Sequence, residues 1–154
     1  MSRWSKLKKE VDDLMDPKLK FQIYCNAYNI GEALPIPRFW ITISREIVWD
    51  WPKDFIEQDG WYFYNEAKNL SQLLRVYIDT PVAELLSREY DDRFKLVPLL
   101  LVCDRRIGKR RLNKMLEEER FAQYADIIFK RLNKEPKEPE FLIKNAGSIS
   151  LKQI

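Results

Sequence analysis

The side chains with the clearest capacity for chemistry lie in residues 104–112, whose sequence is DRRIGKRRL. Five of these nine residues are cations: Arg105, Arg106, Lys109, Arg110 and Arg111. Guanidinium and ammonium groups at this density bind phosphates or carboxylates. On one continuous helix, the i, i+4 spacing would align Arg105 with Lys109 and Arg106 with Arg110 in two rows. The segment therefore predicts an anion- or partner-binding surface.

The same segment also fits a structural interpretation. Cations near the end of a helix offset its dipole, and arginines pair with carboxylates on neighbouring helices. Gly108 is a candidate bend that would split the two rows. The tract contains no aromatic residue for base stacking, and no known nucleic-acid-binding motif accompanies it.

A second candidate surface is aromatic. Eight of the twelve Trp and Tyr residues lie between Tyr24 and Tyr64. Alternation along the predicted strands places Trp40 opposite Phe39 and Ile41, so Tyr24, Tyr28 and Trp40 would share a face that helices do not cover. An exposed aromatic face of this kind is typical of protein-binding surfaces. Trp49 and Trp51 are instead interpreted as core residues.

Several kinds of chemistry are excluded or disfavoured by composition. The chain has no histidine, two cysteines and four glycines. The chain therefore lacks the residues needed for histidine-based triads, histidine-ligated metals and glycine-rich phosphate loops. We predict no metal, no cofactor and no enzymatic activity; a carboxylate or lysine site assembled from distant positions is the one catalytic option left.

The cysteines and the hydropathy pattern bear on location. Cys25 and Cys103 lie inside apolar patterns, as buried free thiols do in a reducing compartment. The first residues have no apolar stretch of a signal peptide, and no apolar run approaches the roughly 18 residues of a membrane span. We expect a cytoplasmic protein without a membrane partner.

The length of 154 residues suits one domain. Charged side chains are unevenly distributed along the chain. Residues 1–103 carry 14 basic and 16 acidic side chains, whereas residues 104–154 carry 13 and 8. This concentration favours a local anionic contact. We place a single domain at residues 1–133 and a loosely tethered tail at residues 134–154, where prolines recur.

Hydrophobic periodicity predicts an α+β fold. Trp4, Leu7, Val11 and Leu14 share one helical face. Period-two alternation then predicts strands within residues 19–28, 39–43 and 47–51, with a fourth possible at 61–64. Their short connections predict an antiparallel meander.

Residues from 69 onward read as four or five helices packed mainly on one sheet face. Asn69 and Gln72 match a capping box, and Thr80-Pro81 matches a new helix start. An apolar stripe predicts a helix from Leu96 to Ile107. Further helices are predicted around residues 112–116 and across residues 121–132.

Three segments also resemble a family of small uncharacterised bacterial proteins, mostly from Firmicutes. They are the RWSKLKK start at residues 3–9, the WDWP segment at residues 49–52, and DRRIGKRRL. The resemblance covers residues 3 to about 116 and implies a bacterial cytoplasmic protein.

The function that these observations favour is a non-enzymatic protein-binding module of adaptor or immunity-like type. The alternative is a nucleic-acid-binding protein that uses the cations of residues 105–111, with an affinity that falls steeply with salt.

Overall fold

The computed structural model describes residues 4–25, 38–51 and 66–134. Its helices are α1 (Trp4–Leu14), α2 (Glu66–Asp79), α3 (Val97–Cys103), α4 (Lys109–Met115) and α5 (Ala125–Leu132). Its strands are β1 (Gln22–Cys25), β2 (Phe39–Ile43) and β3 (Glu46–Trp51). Short 3-10 turns occupy Pro17–Leu19, Val82–Glu84 and Glu119–Tyr124. The predicted α+β class is confirmed.

The three strands form an antiparallel sheet in the order β1-β2-β3. Alternating residues face the core, and Ile23, Ile41 and Trp49 lie side by side across the three strands on that face. Trp49 and Trp51 are each 3% exposed, which confirms their assignment to the core. The indole nitrogen of Trp49 donates a hydrogen bond of 3.0 Å to the carbonyl of Phe94, so the loop before α3 is held against the sheet.

Helix α1 protects the free edge of β1. It buries Leu7 and Val11. Lys8 Nζ donates to the carbonyl of Ile23 at 2.8 Å, and Asp12 Oδ1 accepts from the amide of Ile23 at 3.3 Å. These two side chains satisfy backbone groups that an edge strand otherwise presents to other chains.

Helix α3 lies at the centre of the molecule because every residue in it except Pro98 is buried. Pro98 stands in the first turn, where its missing amide hydrogen costs nothing. The Asp92 carboxylate accepts hydrogen bonds from the amides of Leu96 and Val97 at 2.9 and 2.7 Å, which satisfies amides at the start of the helix.

Three predicted helix boundaries were wrong. Helix α2 begins at Glu66, so Asn69 and Gln72 lie inside it and form no capping box. Thr80 caps no new helix, because its hydroxyl donates to the carbonyl of Val76 in α2, and only the 3-10 turn Val82–Glu84 follows, with Pro81 at its N-cap position. The last predicted helix is divided, and its first part is the 3-10 turn Glu119–Tyr124. Phe121 and Tyr124, three residues apart, share one face of that turn and are both buried.

Some sequence predictions lie outside the described residues. These are Tyr28, the possible fourth strand at 61–64, and the tail beyond Lys134. Lys134 itself is attached to the domain, since its amide donates to the carbonyl of Phe129 at 3.0 Å.

Candidate functional site

Residues 104–108, which connect α3 to α4, are not helical. Helix α3 ends at Cys103, and Asp104 has extended backbone angles (φ −71°, ψ 119°). Asp104 forms an isolated antiparallel bridge with Met15, and the amide of Arg105 donates to the carbonyl of Leu14 at 2.8 Å. This docking onto the end of α1 prevents a continuous helix. The predicted rows of arginines therefore do not form, and the apolar stripe to Ile107 is not one helix.

Asp104 organises this connection from a completely buried position. Its carboxylate accepts a 2.7 Å hydrogen bond from the Tyr77 hydroxyl of α2 and a 2.8 Å bond from the backbone amide of Arg106. Burial, together with the neighbouring Asp104 charge, raises the pKa of Tyr77 well above its usual value, so this tyrosine stays a hydrogen-bond donor. The group joins α2, α3 and the connection into one unit.

Arg106 neutralises Asp104. Its Nη2 and Nε atoms lie 2.8 and 3.2 Å from Oδ2, and its Nη1 donates to the carbonyl of Thr80 at 3.2 Å. Burial alone would lower the pKa of Arg106, but the hydrogen bonds and charge of Asp104 raise it. The side chain is only 18% exposed. The sequence assigns Arg106 to the binding of an anion or partner, but in the structure its anion is the carboxylate of Asp104.

Arg131 is a structural residue that the sequence analysis missed. It belongs to α5, is 6% exposed, and donates to the carbonyls of Val102 and Ile107 at 3.1 and 2.9 Å. Its Nε also donates to Asp16 at 2.9 Å. Arg131 therefore holds both ends of the connection, and only its sequence distance from those partners concealed this role.

Arg105 and Arg111 form no ion pair with any of the residues that the structure describes. Both side chains are exposed. Arg105 Nε donates to the carbonyl of Asp13 at 2.8 Å, and Arg111 Nη1 donates to the carbonyl of Val82 at 3.2 Å. A carbonyl oxygen orients a guanidinium but carries no net charge, so each arginine can still attract an anion.

Lys109 and Arg110 are also exposed, and within the described ranges they form neither an ion pair nor a side-chain hydrogen bond. Two further lysines lie nearby. Lys114 follows Arg110 by one helical turn, and Lys134 Nζ donates to Asn113 of α4 at 3.0 Å. We call this set the basic surface: Lys109, Arg110, Arg111, Lys114 and Lys134.

An acidic stretch follows the basic surface directly. Glu117, Glu118 and Glu119 are exposed at the end of α4. Glu118 pairs with Arg120 at 3.2 Å, and in the described part of the chain no member of the stretch pairs with a cation of the basic surface. The basic surface therefore lies beside Glu117 and Glu119, and both the cations and these two glutamates can contact an outside partner.

The predicted aromatic surface is a closed stack. Tyr24 and Trp40 pack face to face, with centroids 5.1 Å apart and an interplanar angle of 18°. Lys8 lies over the Tyr24 ring at 4.7 Å, and Arg38 lies over the Trp40 ring at 4.5 Å. Lys8 comes from α1, and Arg38 bonds Asp50 of β3, so the cations approach from opposite sides. We call this the aromatic–cation stack.

Both rings of the aromatic–cation stack are half-buried. Each ring has one face against the other ring and the second face against a cation, so a planar ligand finds no open ring face. Their edges remain for contact with a protein partner. Base stacking of the kind seen on sheet-based RNA binders is therefore disfavoured.

Metal and membrane features are absent from the described ranges. No group of three or more His, Cys, Asp or Glu side chains there has the arrangement of a metal site. None of the helices in those ranges has the length and apolarity needed to cross a membrane.

Comparison with known proteins gives one family match. The model of the SF0329 protein family matches residues 3–73 and 63–131, which together span most of the chain. No curated protein and no solved structure shows a significant match.

Proposed function

This chain belongs to the SF0329 protein family, and from that premise we propose that it is a non-enzymatic bacterial protein of the cytoplasm that binds another protein. The basic surface on α4 is the contact that we assign to this partner, in the manner of an adaptor or immunity-like module. The edges of the aromatic–cation stack are a second contact candidate.

The observation that supports this proposal is the uncompensated charge of α4. Arg106 has a buried carboxylate partner, but Lys109 and Arg110 have none among the described residues. A cluster of exposed cationic side chains raises the association rate of a negatively charged partner. Such a cluster gains electrostatic energy when an acidic surface docks on it.

The neighbouring acidic stretch favours a protein over a nucleic acid. A polyphosphate lying along α4 would approach Glu117 and Glu119, which would repel it. A protein partner can present carboxylates to Lys109 and Arg110 and cations to these glutamates. Charge patterns of this mixed kind give protein interfaces their specificity.

The test is a charge reversal with a matched control. The variant Lys109→Glu/Arg110→Glu changes exposed residues of α4, and Lys6→Glu/Lys9→Glu makes the same change on the exposed side of α1. Each protein is used as bait in a lysate of the source organism, with cross-linking and mass spectrometry at low and high salt. We expect a protein captured by the wild type and the α1 variant and lost from the α4 variant and at high salt. Equal capture by all three proteins would contradict the proposal.

The alternative, nucleic-acid binding, is tested by the same variants. This alternative is favoured by Lys109 and Arg110, which form no ion pair within the described ranges. Fluorescence anisotropy against short RNA and DNA, single- and double-stranded, at two salt concentrations measures it. Salt-sensitive binding that the α4 variant loses would replace the protein partner with a nucleic acid.

A further inference from the structure

An open cleft of about 530 Å³ separates the β2–β3 hairpin from the segment that leads into α5. Its apolar floor comes from both sides. Ile43 and Val48 belong to the hairpin, and Tyr124 and Ile127 belong to the helical side. The volume is within the range of roughly 300–1,000 Å³ typical of ligand-binding clefts.

A β-bulge forms the hairpin side of the cleft. Ile41 pairs with Trp49 and Thr42 pairs with Ile47, so Val48 has no partner on β2. The bulge leaves Val48 half-buried at the cleft instead of within the core. Bulges of this kind redirect side chains next to binding sites.

The hairpin tip is held in a strained conformation across the cleft. Ser44 and Arg45 both have left-handed backbone angles, with φ of 50° and 72°, which cost about 1 kcal/mol or more in residues other than glycine. The Ser44 hydroxyl accepts a 2.7 Å hydrogen bond from Lys130 of α5. This bond fixes the position of the hairpin relative to the helix.

The rim of the cleft carries two carboxylates, Glu46 from β3 and Asp126 from α5. Both are exposed, and neither has a cationic partner among the residues that the structure describes. Lys130 follows Asp126 by four residues, the spacing at which such pairs form on a helix. Lys130 instead donates to the neutral hydroxyl of Ser44, so among the described residues the cleft carries two unpaired carboxylates and one ammonium group, a net negative charge that favours an external cation.

We propose that this cleft binds a segment of a partner protein that presents an apolar side chain beside a lysine or arginine. The apolar side chain lies on the floor formed by Ile43, Val48, Tyr124 and Ile127, and the cation reaches Glu46 and Asp126. This site is separate from the basic surface and opposite in charge, so it does not rest on the function proposed above.

The test is a titration of the full chain, labelled with nitrogen-15, against four probes. The first is the capped peptide Ac-Gly-Leu-Arg-Gly-NH2. The second replaces Leu with Gly, the third replaces Arg with Glu, and the fourth is hexylamine. Amide chemical shifts report which residues each probe contacts.

We expect the first peptide to cause saturable shifts within residues 43–48 and 123–130, and the second and third to bind at least about fivefold more weakly. The variant Glu46→Gln/Asp126→Asn should weaken the first peptide by a similar factor. The control Asp13→Asn/Glu84→Gln, which removes two exposed carboxylates outside the cleft, should leave its affinity unchanged.

Three results would overturn the proposal. One is the absence of saturable shifts at these residues. Another is binding of hexylamine as tight as that of the first peptide, which would make this a site for small amines. The third is a shift of the same residues on concentrating the protein alone, which would assign the cleft to a second copy of the chain.

Discussion

Arg106 and Arg110 are four residues apart in one basic segment, yet their surroundings differ. Arg106 is enclosed by Asp104, Thr80 and the ring of Tyr77, whereas Arg110 is exposed on α4. Composition and spacing cannot distinguish an arginine that pairs internally from one that is exposed. What separates them is a carboxylate that becomes buried only when α2 and α3 pack together.

We predict opposite consequences for alanine substitution at these two positions. Arg106→Ala leaves the Asp104 carboxylate buried without its cation and should lower the free energy of unfolding by about 2–4 kcal/mol. Arg110→Ala removes an exposed side chain and should change it by less than about 0.5 kcal/mol. Urea denaturation of both variants measures this, and equal losses would contradict the structural role of Arg106.

Residue identity alone also failed to reveal that Tyr77 bonds Asp104 and that Arg131 bonds the carbonyls of Val102 and Ile107. Arg131 and Asp16 are 115 residues apart, so no local pattern relates them. By contrast, the burial of Trp49 and Trp51 was predictable, because alternation along a strand is a local property.

At the scale of elements, α1 both packs on the core and completes the sheet. Its apolar face was predictable from the spacing of Leu7 and Val11. The hydrogen bonds of Lys8 and Asp12 to Ile23 were not, because they depend on how the helix lies beside β1.

This arrangement predicts a local change in hydrogen exchange. Asp12→Ala removes the acceptor of the Ile23 amide, so exchange of that amide should accelerate by about tenfold, while the amide of Trp49 stays protected. Exchange followed by NMR measures it. Asp13→Ala, an exposed neighbour, is the control; unchanged protection of Ile23 in Asp12→Ala would contradict the role of α1 at the edge.

Asp16 connects the turn after α1 to α5. Partial burial opposes its ionisation, but hydrogen bonds from the Lys18 amide and Arg131 outweigh burial and lower the pKa of Asp16. A carboxyl group whose pKa is lower in the folded state stabilises the fold above its unfolded pKa. That stabilisation is lost as pH falls through the folded value.

We therefore predict that Asp16→Asn costs about 2–4 kcal/mol of unfolding free energy at pH 7, because Arg131 keeps its buried charge without a partner. The difference from the wild type should narrow when the pH is lowered from 7 to below the folded pKa of Asp16, which lies under its ordinary value of 3.8. Urea denaturation at the two pH values measures it, with Asp13→Asn as the control. A difference independent of pH would show that the charge of Asp16 is not the cause.

At the scale of the whole molecule, the sequence predicted the α+β class and the antiparallel meander correctly. It also located the excess of positive charge in the last third of the chain. Packing divides these cations into two groups. Arg106 and Arg131 pair with carboxylates of the same chain, whereas the residues of the basic surface are exposed. Counting residues gives the net charge, but only packing determines which cations are paired internally and which are exposed.

The division of the chain into residues 1–133 and a tail from 134 stays a prediction, since residues beyond Lys134 lie outside the described ranges. Lys134 itself belongs with α4 through its bond to Asn113. The boundary of the packed structure therefore lies at or beyond this residue.

The connection between α3 and α4 has a consequence for synthesis on the ribosome. Residues 14–16, Tyr77 and Arg131 all bond to the end of α3 or to this connection, and they are spread over most of the chain. A nascent chain that has emerged only as far as α4 has the carboxylate of Asp16 and the carbonyls of Val102 and Ile107 but lacks the guanidinium of Arg131, which bonds all three. The amino-terminal two thirds must therefore wait, with the apolar face of α3 incompletely covered, until α5 has left the exit tunnel. The time between the emergence of α4 and that of α5 sets how long that interval lasts.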